Sequence, residues 1–301
     1  TRTSTRGAMN RVRRGRGREG AGVAEDIQHR LAIVVAHPDD EVLWAGSMLR
    51  AAERIVVVYG QLPCQPDLTA GRRAAMADFP LPTLDWLQLV ESGVFDSASW
   101  PDPRETAYGL YPHRRLGMLE CFDPDGYRAK PGELRDRLRT SLRGMKNVIV
   151  HSPWGEYGHE DHVQIFRVVA GLAPEMGFQV WVPGYYGPKS ERLMRRNLRF
   201  LGRPTAKMPV DRALAEEISQ IYKRTGTWTW FDDYVWPETE WFFPWRPGAV
   251  RAAERVRPDD LQSIAFPAAY LEAMRRPHPN RRRELWRKLF SWINGLLVRW
   301  S

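Results

Sequence analysis

The stretch Ala36-His37-Pro38-Asp39-Asp40-Glu41 sets a histidine and three carboxylates directly behind an apolar run. Charges packed that densely beside a core element repel one another and desolvate poorly, so they need a partner. In the first turn of a helix the three acids would complement the macrodipole. A divalent cation is the other partner, and a second stretch favours it. "HSPWGEYGHEDHVQIF" (151–166) sets His159 and His162 three apart, on one face of a helix. His37, Asp40 and His162 together offer two imidazoles and one carboxylate, with a fourth position for water. That is the ligand pattern of catalytic rather than structural zinc, Zn2+, and Fe2+ accepts the same donors.

Convergence of two stretches so far apart requires a particular frame. "LAIVVA" (31–36) and "RIVVVYG" (54–60) are short apolar runs rich in branched residues, and "LDWLQL" (84–89), "NVIVHS" (147–152) and "FQVWVP" (178–183) read as further strands. Helices are expected between them. Val42, Ala45, Met48, Leu49 and Ala52 fall at helical spacing, and "GELRDRLRTSLRGM" and "EDHVQIFRVVAGLA" carry the same period. Strands apolar on both faces and alternating with helices predict an α/β fold, a Rossmann-like and mostly parallel sheet covered on both sides. Ligands of such sheets sit beyond the carboxyl ends of the strands, where both polar stretches fall. The metal ligands meet if the first and fourth strands are neighbours where the winding reverses.

The two motifs, Ala36 to Glu41 and Gly158-His159-Glu160-Asp161-His162, resemble those of the LmbE/PIG-L family of zinc-dependent deacetylases, which act on N-acetylglucosamine-type sugars. The resemblance is clear across about 31–185. It implies that His37, Asp40 and His162 hold the metal, that Asp39 is the general base, and that a protonated His159 stabilises the tetrahedral intermediate. Asp161 or Glu156 would orient His159, and Glu41 is left for the helix or for a supporting role. Two departures concern the substrate. Tyr59 stands before Gly60 where many members have Thr or Asp, and the Glu expected after Arg72 or Arg73 is absent. Either arginine is a candidate substrate contact. Trp154 and Tyr157 are others, because their loop must flank the metal. The implied activity is hydrolysis of an N-acetyl group from an amino sugar. A non-catalytic sugar-binding relative, or an amidase acting on a non-carbohydrate acetamide, is the alternative; the His-Glu-x-x-His helix of metallopeptidases does not occur.

The formal net charge of the 301 residues is +9, and its location decides what it means. Residues 1–30 carry eight arginines against three acids, and residues 275–301 carry seven arginines and one lysine against one acid, leaving the body slightly acidic. A specific nucleic-acid partner is therefore not expected. The first tail, 1–30, is rich in Arg and Gly without an apolar period and is expected to be disordered. Residues 31–272 read as one catalytic domain, with a core over 31–185 and a helical, aromatic extension over 186–272. Residues 280–301 read as a basic amphipathic helix, with Leu285, Leu289, Trp292, Ile293, Leu296 and Trp300 on one face. It would suit either a bilayer interface or docking on protein. No run of about 18 uncharged apolar residues occurs, so the expected location is cytoplasmic, peripheral on the inner membrane face if the helix binds lipid. Cys64 and Cys121 form no paired-spacing motif and are expected to be unbridged, in a reducing compartment.

Overall fold

The computed structural model describes residues 27–114, 118–248 and 256–267. The expected disordered tail (apart from residues 27–30) and the basic helix over 280–301 lie outside the described residues. Six strands form the main sheet among them: β1 (Leu31–Val35), β2 (Arg54–Gln61), β3 (Leu84–Val90), β4 (Asn147–Val150), β5 (Gln179–Pro183) and β6 (Phe242–Pro244). Their spatial order is β6-β5-β4-β1-β2-β3. All neighbours are parallel except β6, which runs antiparallel to β5. Ile33 pairs with Ile55 of β2 on one side and Ile149 of β4 on the other. The winding therefore reverses at β1, which opens a crevice beyond the carboxyl ends of β1 and β4.

Alternation along β1 explains why both faces are covered. Ala32 and Val34 point into one apolar layer with Val56, Val148 and Val180, closed by α4 (Pro131–Ser141) and α5 (Glu160–Met176) through Leu134, Leu138, Val163 and Val169. Leu31, Ile33 and Val35 point into the other, closed by α2 (Pro66–Ala77) and α7 (Arg212–Arg224) through Ala75, Leu214 and Ile218. Burial of each such branched side chain contributes about 1.5–3 kcal/mol. The central strand is thus a rigid base for whatever leaves its end. Two shorter helices, α3 (Pro124–Ala129) and α6 (Glu191–Asn197), lie in the connections.

Two expectations are corrected. The helix after β1, α1, spans only Asp40–Trp44 instead of running on through Ala52, the last of the helically spaced apolar residues. Beyond Gly46 the Ser47 N–H donates to Glu240 Oε2 at 2.8 Å, so the backbone turns away, although Val42, Ala45, Met48, Leu49 and Ala52 all stay buried. Second, Cys64 and Cys121 are joined in a disulfide with Cα atoms 5.4 Å apart. A separation of 57 residues hides that proximity from any spacing motif. No helix among the described residues is long and apolar enough to cross a membrane.

Candidate metal centre

His37 follows β1 in a bend ahead of Pro38, and the chain then makes an unusual turn. Asp39 has φ of +99°, the left-handed region where a residue with a Cβ is strained. Its side chain does not cap α1. Oδ2 of Asp39 instead accepts the Thr229 N–H at 3.0 Å and the Thr229 hydroxyl at 2.7 Å. Helix capping therefore does not account for this acid. Asp40 turns the other way: its Oδ2 accepts the His37 N–H at 2.8 Å, and Trp44 Nε1, one helical turn on, donates to its Oδ1 at 2.9 Å.

The second stretch follows β4 and enters α5. Gly155 (φ +66°), Glu156 (φ +46°) and Gly158 (φ +99°) form the turn, and a Cβ at Gly155 would sit 2.5 Å from the His159 carbonyl oxygen. This tight turn brings Glu156 beneath the histidines. Glu156 Oε2 lies 2.7 Å from His162 Nδ1 and 3.0 Å from His151 Nδ1, and Oε1 accepts the Ser152 N–H. The Ala36 N–H points at His151 Nε2 at 2.8 Å, so the His151 proton sits on Nδ1 toward Glu156. Burial alone would raise the Glu156 carboxyl, but His151 and His162 hold it at about 2. An ionised Glu156 accepts a hydrogen bond from the Nδ1–H of His162, which leaves the Nε2 lone pair facing the site.

The two stretches meet on Asp40. Its Oδ2 is 3.2 Å from His37 Nδ1 and 3.2 Å from His162 Nε2. His37, Asp40 and His162 are buried, and their ligand atoms lie within 4.8 Å of one another. His37, His159 and Asp161 form an overlapping group. His162 Nε2, His37 Nε2 and Asp161 Oδ1 are buried without hydrogen-bond partners, a costly arrangement unless something else satisfies them. The field favours a cation. Burial pushes His37 down, yet Glu91, Asp161 and Asp40 around it raise its pKa to about 10. Burial works against Asp40 too, but the facing His162 and His151 hold it well below the usual carboxylate range. The donor set and the excess of acid around His37 fit a divalent ion.

The remaining candidates divide. Asp39 is lifted to about 7, first by burial and then by Asp40, although Thr229 opposes the shift. His159 corrects an expectation: its Nδ1 accepts the Asp161 N–H at 3.1 Å, and burial, then His37 and His162, hold its pKa well below the usual range. It is a neutral imidazole with its proton on Nε2, not an imidazolium. Neither Asp161 nor Glu156 orients it through a carboxylate. The Asp161 carboxylate faces His37 Nε2 at 3.4 Å, and Glu156 serves His151 and His162. Glu41 is buried; it accepts the Tyr222 hydroxyl at 2.7 Å and the Asp39 N–H at 3.1 Å, and burial lifts it to about 8.

Among the substrate candidates, Tyr157 stands with its ring perpendicular to that of His162, 5.4 Å between centres, and in contact with Trp44 and Trp230. Trp154 is a correction: it is fully buried, and its Nε1 donates to the Tyr185 carbonyl at 2.7 Å, so it is a wall of the core. Arg72 is buried in an ion pair with Glu91, whose other oxygen lies 3.7 Å from His37 Nε2. Arg73 is exposed, and among the described residues nothing ties it to the site. Sequence reasoning passed over His151, Glu91 and Thr229. Only His151 left a signal, being a histidine at the end of β4 as His37 is at the end of β1.

No family model matches the chain. A relative from Catenulispora acidiphila, 1D-myo-inositol 2-acetamido-2-deoxy-alpha-D-glucopyranoside deacetylase 1, is 29% identical over an alignment covering 50% of this chain and 50% of the relative. The chain resembles the LmbE/PIG-L deacetylases. It spans about half the length of the curated relative it matches. Two solved structures are also similar. A deacetylase of teicoplanin biosynthesis in complex with teicoplanin shares 15% identity at a TM-score of 0.46, covering 71% of this chain and 97% of its own. The zinc-inhibited form of teicoplanin deacetylase shares 14% at 0.45, with the same coverage.

Proposed function

We propose that this chain is a metal-dependent hydrolase that removes an N-acetyl group from a GlcNAc-type amino sugar. The observation that carries the reading is the meeting of His37, Asp40 and His162 around buried, unpartnered nitrogens, with Asp39 next in sequence to a ligand. These three residues hold the ion, which we assign as Zn2+, with Fe2+ as the alternative. Such an ion supplies Lewis acidity toward the amide carbonyl and toward water.

The chain's own residues do the rest. Asp39, with a pKa near 7, accepts a proton from water and returns it to the amine nitrogen as the C–N bond breaks, giving acetate and the free amino sugar. Neutral His159 donates its Nε2 proton in a hydrogen bond to the amide oxygen, where charge builds mainly in the transition state. Tyr157 and the Arg72–Glu91 pair border the substrate. Residues 31–272 act as one catalytic unit in this reading. The substrate is small or lipid-linked, and for the latter the basic segment 281–300 would hold the enzyme at a membrane surface.

The test is acetate release from N-acetylglucosamine in free, inositol-linked, nucleotide-linked and lipid-linked form, before and after chelation and after Zn2+ or Fe2+ is restored. Hydrolysis of at least one, lost on chelation and regained with one ion, is the expected result. Equal activity after verified removal of the metal overturns the reading.

A further inference from the structure

Thr229 presents a contradiction. It is solvent-exposed, lies 190 residues from Asp39, and yet gives both its backbone N–H and its hydroxyl to one oxygen of that buried carboxylate. The segment around it is firmly tied. Thr227 and Trp228 donate their N–H groups to the Tyr222 carbonyl, at 2.8 and 3.2 Å. Trp228 packs against the apolar layer under β1, and Trp230 meets Trp44 edge-on with ring centres 5.4 Å apart. Tyr222, at the last turn of α7, also holds Glu41, and Glu41 in turn accepts the Asp39 N–H. Both the backbone and the carboxylate of Asp39 are therefore fixed by one distant unit, Tyr222 to Trp230.

We propose that Thr229 is a positioning residue for Asp39: its two donors hold Oδ2 so that the other carboxylate oxygen is the one presented to the reacting water. Two bonds on one oxygen remove the rotation that a strained, left-handed Asp39 would otherwise have. A hydrogen bond to an ionised group is among the stronger ones available. Thr229 acts through Asp39 and needs no contact with substrate. Because it is exposed, its replacement leaves the core unaltered.

The inference rests on Asp39 being the base, so two measurements keep its failure separate from failure of that reading. The first uses N-acetylglucosamine and its inositol glycoside as probes. Thr229→Val, which keeps the shape and the N–H but loses the hydroxyl, lowers kcat about tenfold with KM unchanged. Thr229→Ser restores kcat to within about twofold. An unchanged kcat in Thr229→Val, or an equal loss in Thr229→Ser, overturns the proposal. The second needs no substrate: hydrogen exchange of the peptide spanning Thr227–Trp230 in the metal-loaded protein. Exchange rises about fivefold in Asp39→Ala, because the Thr229 N–H loses its acceptor. Unchanged exchange overturns the proposal. If the wild-type protein hydrolyses neither probe, the deacetylase reading falls on those probes and the exchange comparison alone decides the tie.

Discussion

The two loops that form the candidate site are supported in opposite ways. In the loop after β4 the histidines are set locally: Glu156, His151 and His162 lie within twelve residues, and one carboxylate faces the Nδ1 of both histidines, while Ser190 and Gly187 hold the Glu156 carbonyl from outside. The loop after β1 differs. Its Asp39 and Glu41 are held by Tyr222 and Thr229, far along the chain and on the other side of the sheet from α5. Both loops contribute ligands, His37 and Asp40 from the first and His162 from the second, so what differs is the support: His162 rests on a local carboxylate, whereas Asp39 rests on remote contacts and should be tunable without loss of the ion.

The sharpest separation comes from the two motifs themselves. His162→Ala removes a ligand and should lose both the ion and all measurable hydrolysis, read by metal content beside acetate release. Asp39→Ala should keep the ion and lose turnover by about 10³-fold. Should Asp39→Ala lose the ion as readily as His162→Ala, the two roles are not distinct. Glu156→Gln is the next step down. It replaces a shared anion by a neutral amide and weakens control of His162, so metal affinity should fall about 10–100-fold. Chelator competition measures it, and an unaltered affinity would show that His162 needs no such support.

How much of this was legible follows the same division. The five long strands announce themselves as short runs rich in apolar residues, although β3 also carries Asp85 and an exposed Gln88, and the convergence of His37, Asp40 and His162 follows once β1 and β4 are neighbours. β6 was missed because three residues inside an aromatic stretch carry no period. The helix after β1 was over-read because its apolar spacing is helical while Ser47 gives its N–H to Glu240 instead of to the helix. Trp154 was misread for a related reason: flanking a ligand says nothing about which way an indole points. Thr229 and Glu91 were invisible because an exposed threonine and a strand-end acid gain meaning only from what folds against them. His159 was legible as a site residue, but its protonation was not, since burial and neighbouring imidazoles decide it.

The smallest expected effect lies at that same Glu240. It is buried, accepts the Ser47 N–H and the Tyr185 hydroxyl, and burial raises its pKa above the ordinary glutamate value. A raised pKa in the folded state means its contribution is complete at pH below the unfolded value and is lost as pH rises through the folded one. Glu240→Gln mimics the protonated form. Its melting temperature should match that of the wild type near pH 4 and exceed it by a margin that widens toward pH 8. A margin that does not change with pH would contradict this account of the turn after α1.

The central claim is that one ion is held by His37, Asp40 and His162 with Asp39 left outside the ligand set. Anomalous diffraction at the zinc edge, from crystals of the Zn2+-loaded protein, tests it most directly. A single strong peak within bonding distance of those three side chains and of no oxygen of Asp39 is the predicted result. A peak among His151, Glu156 and His162, or one that Asp39 ligates, would contradict it.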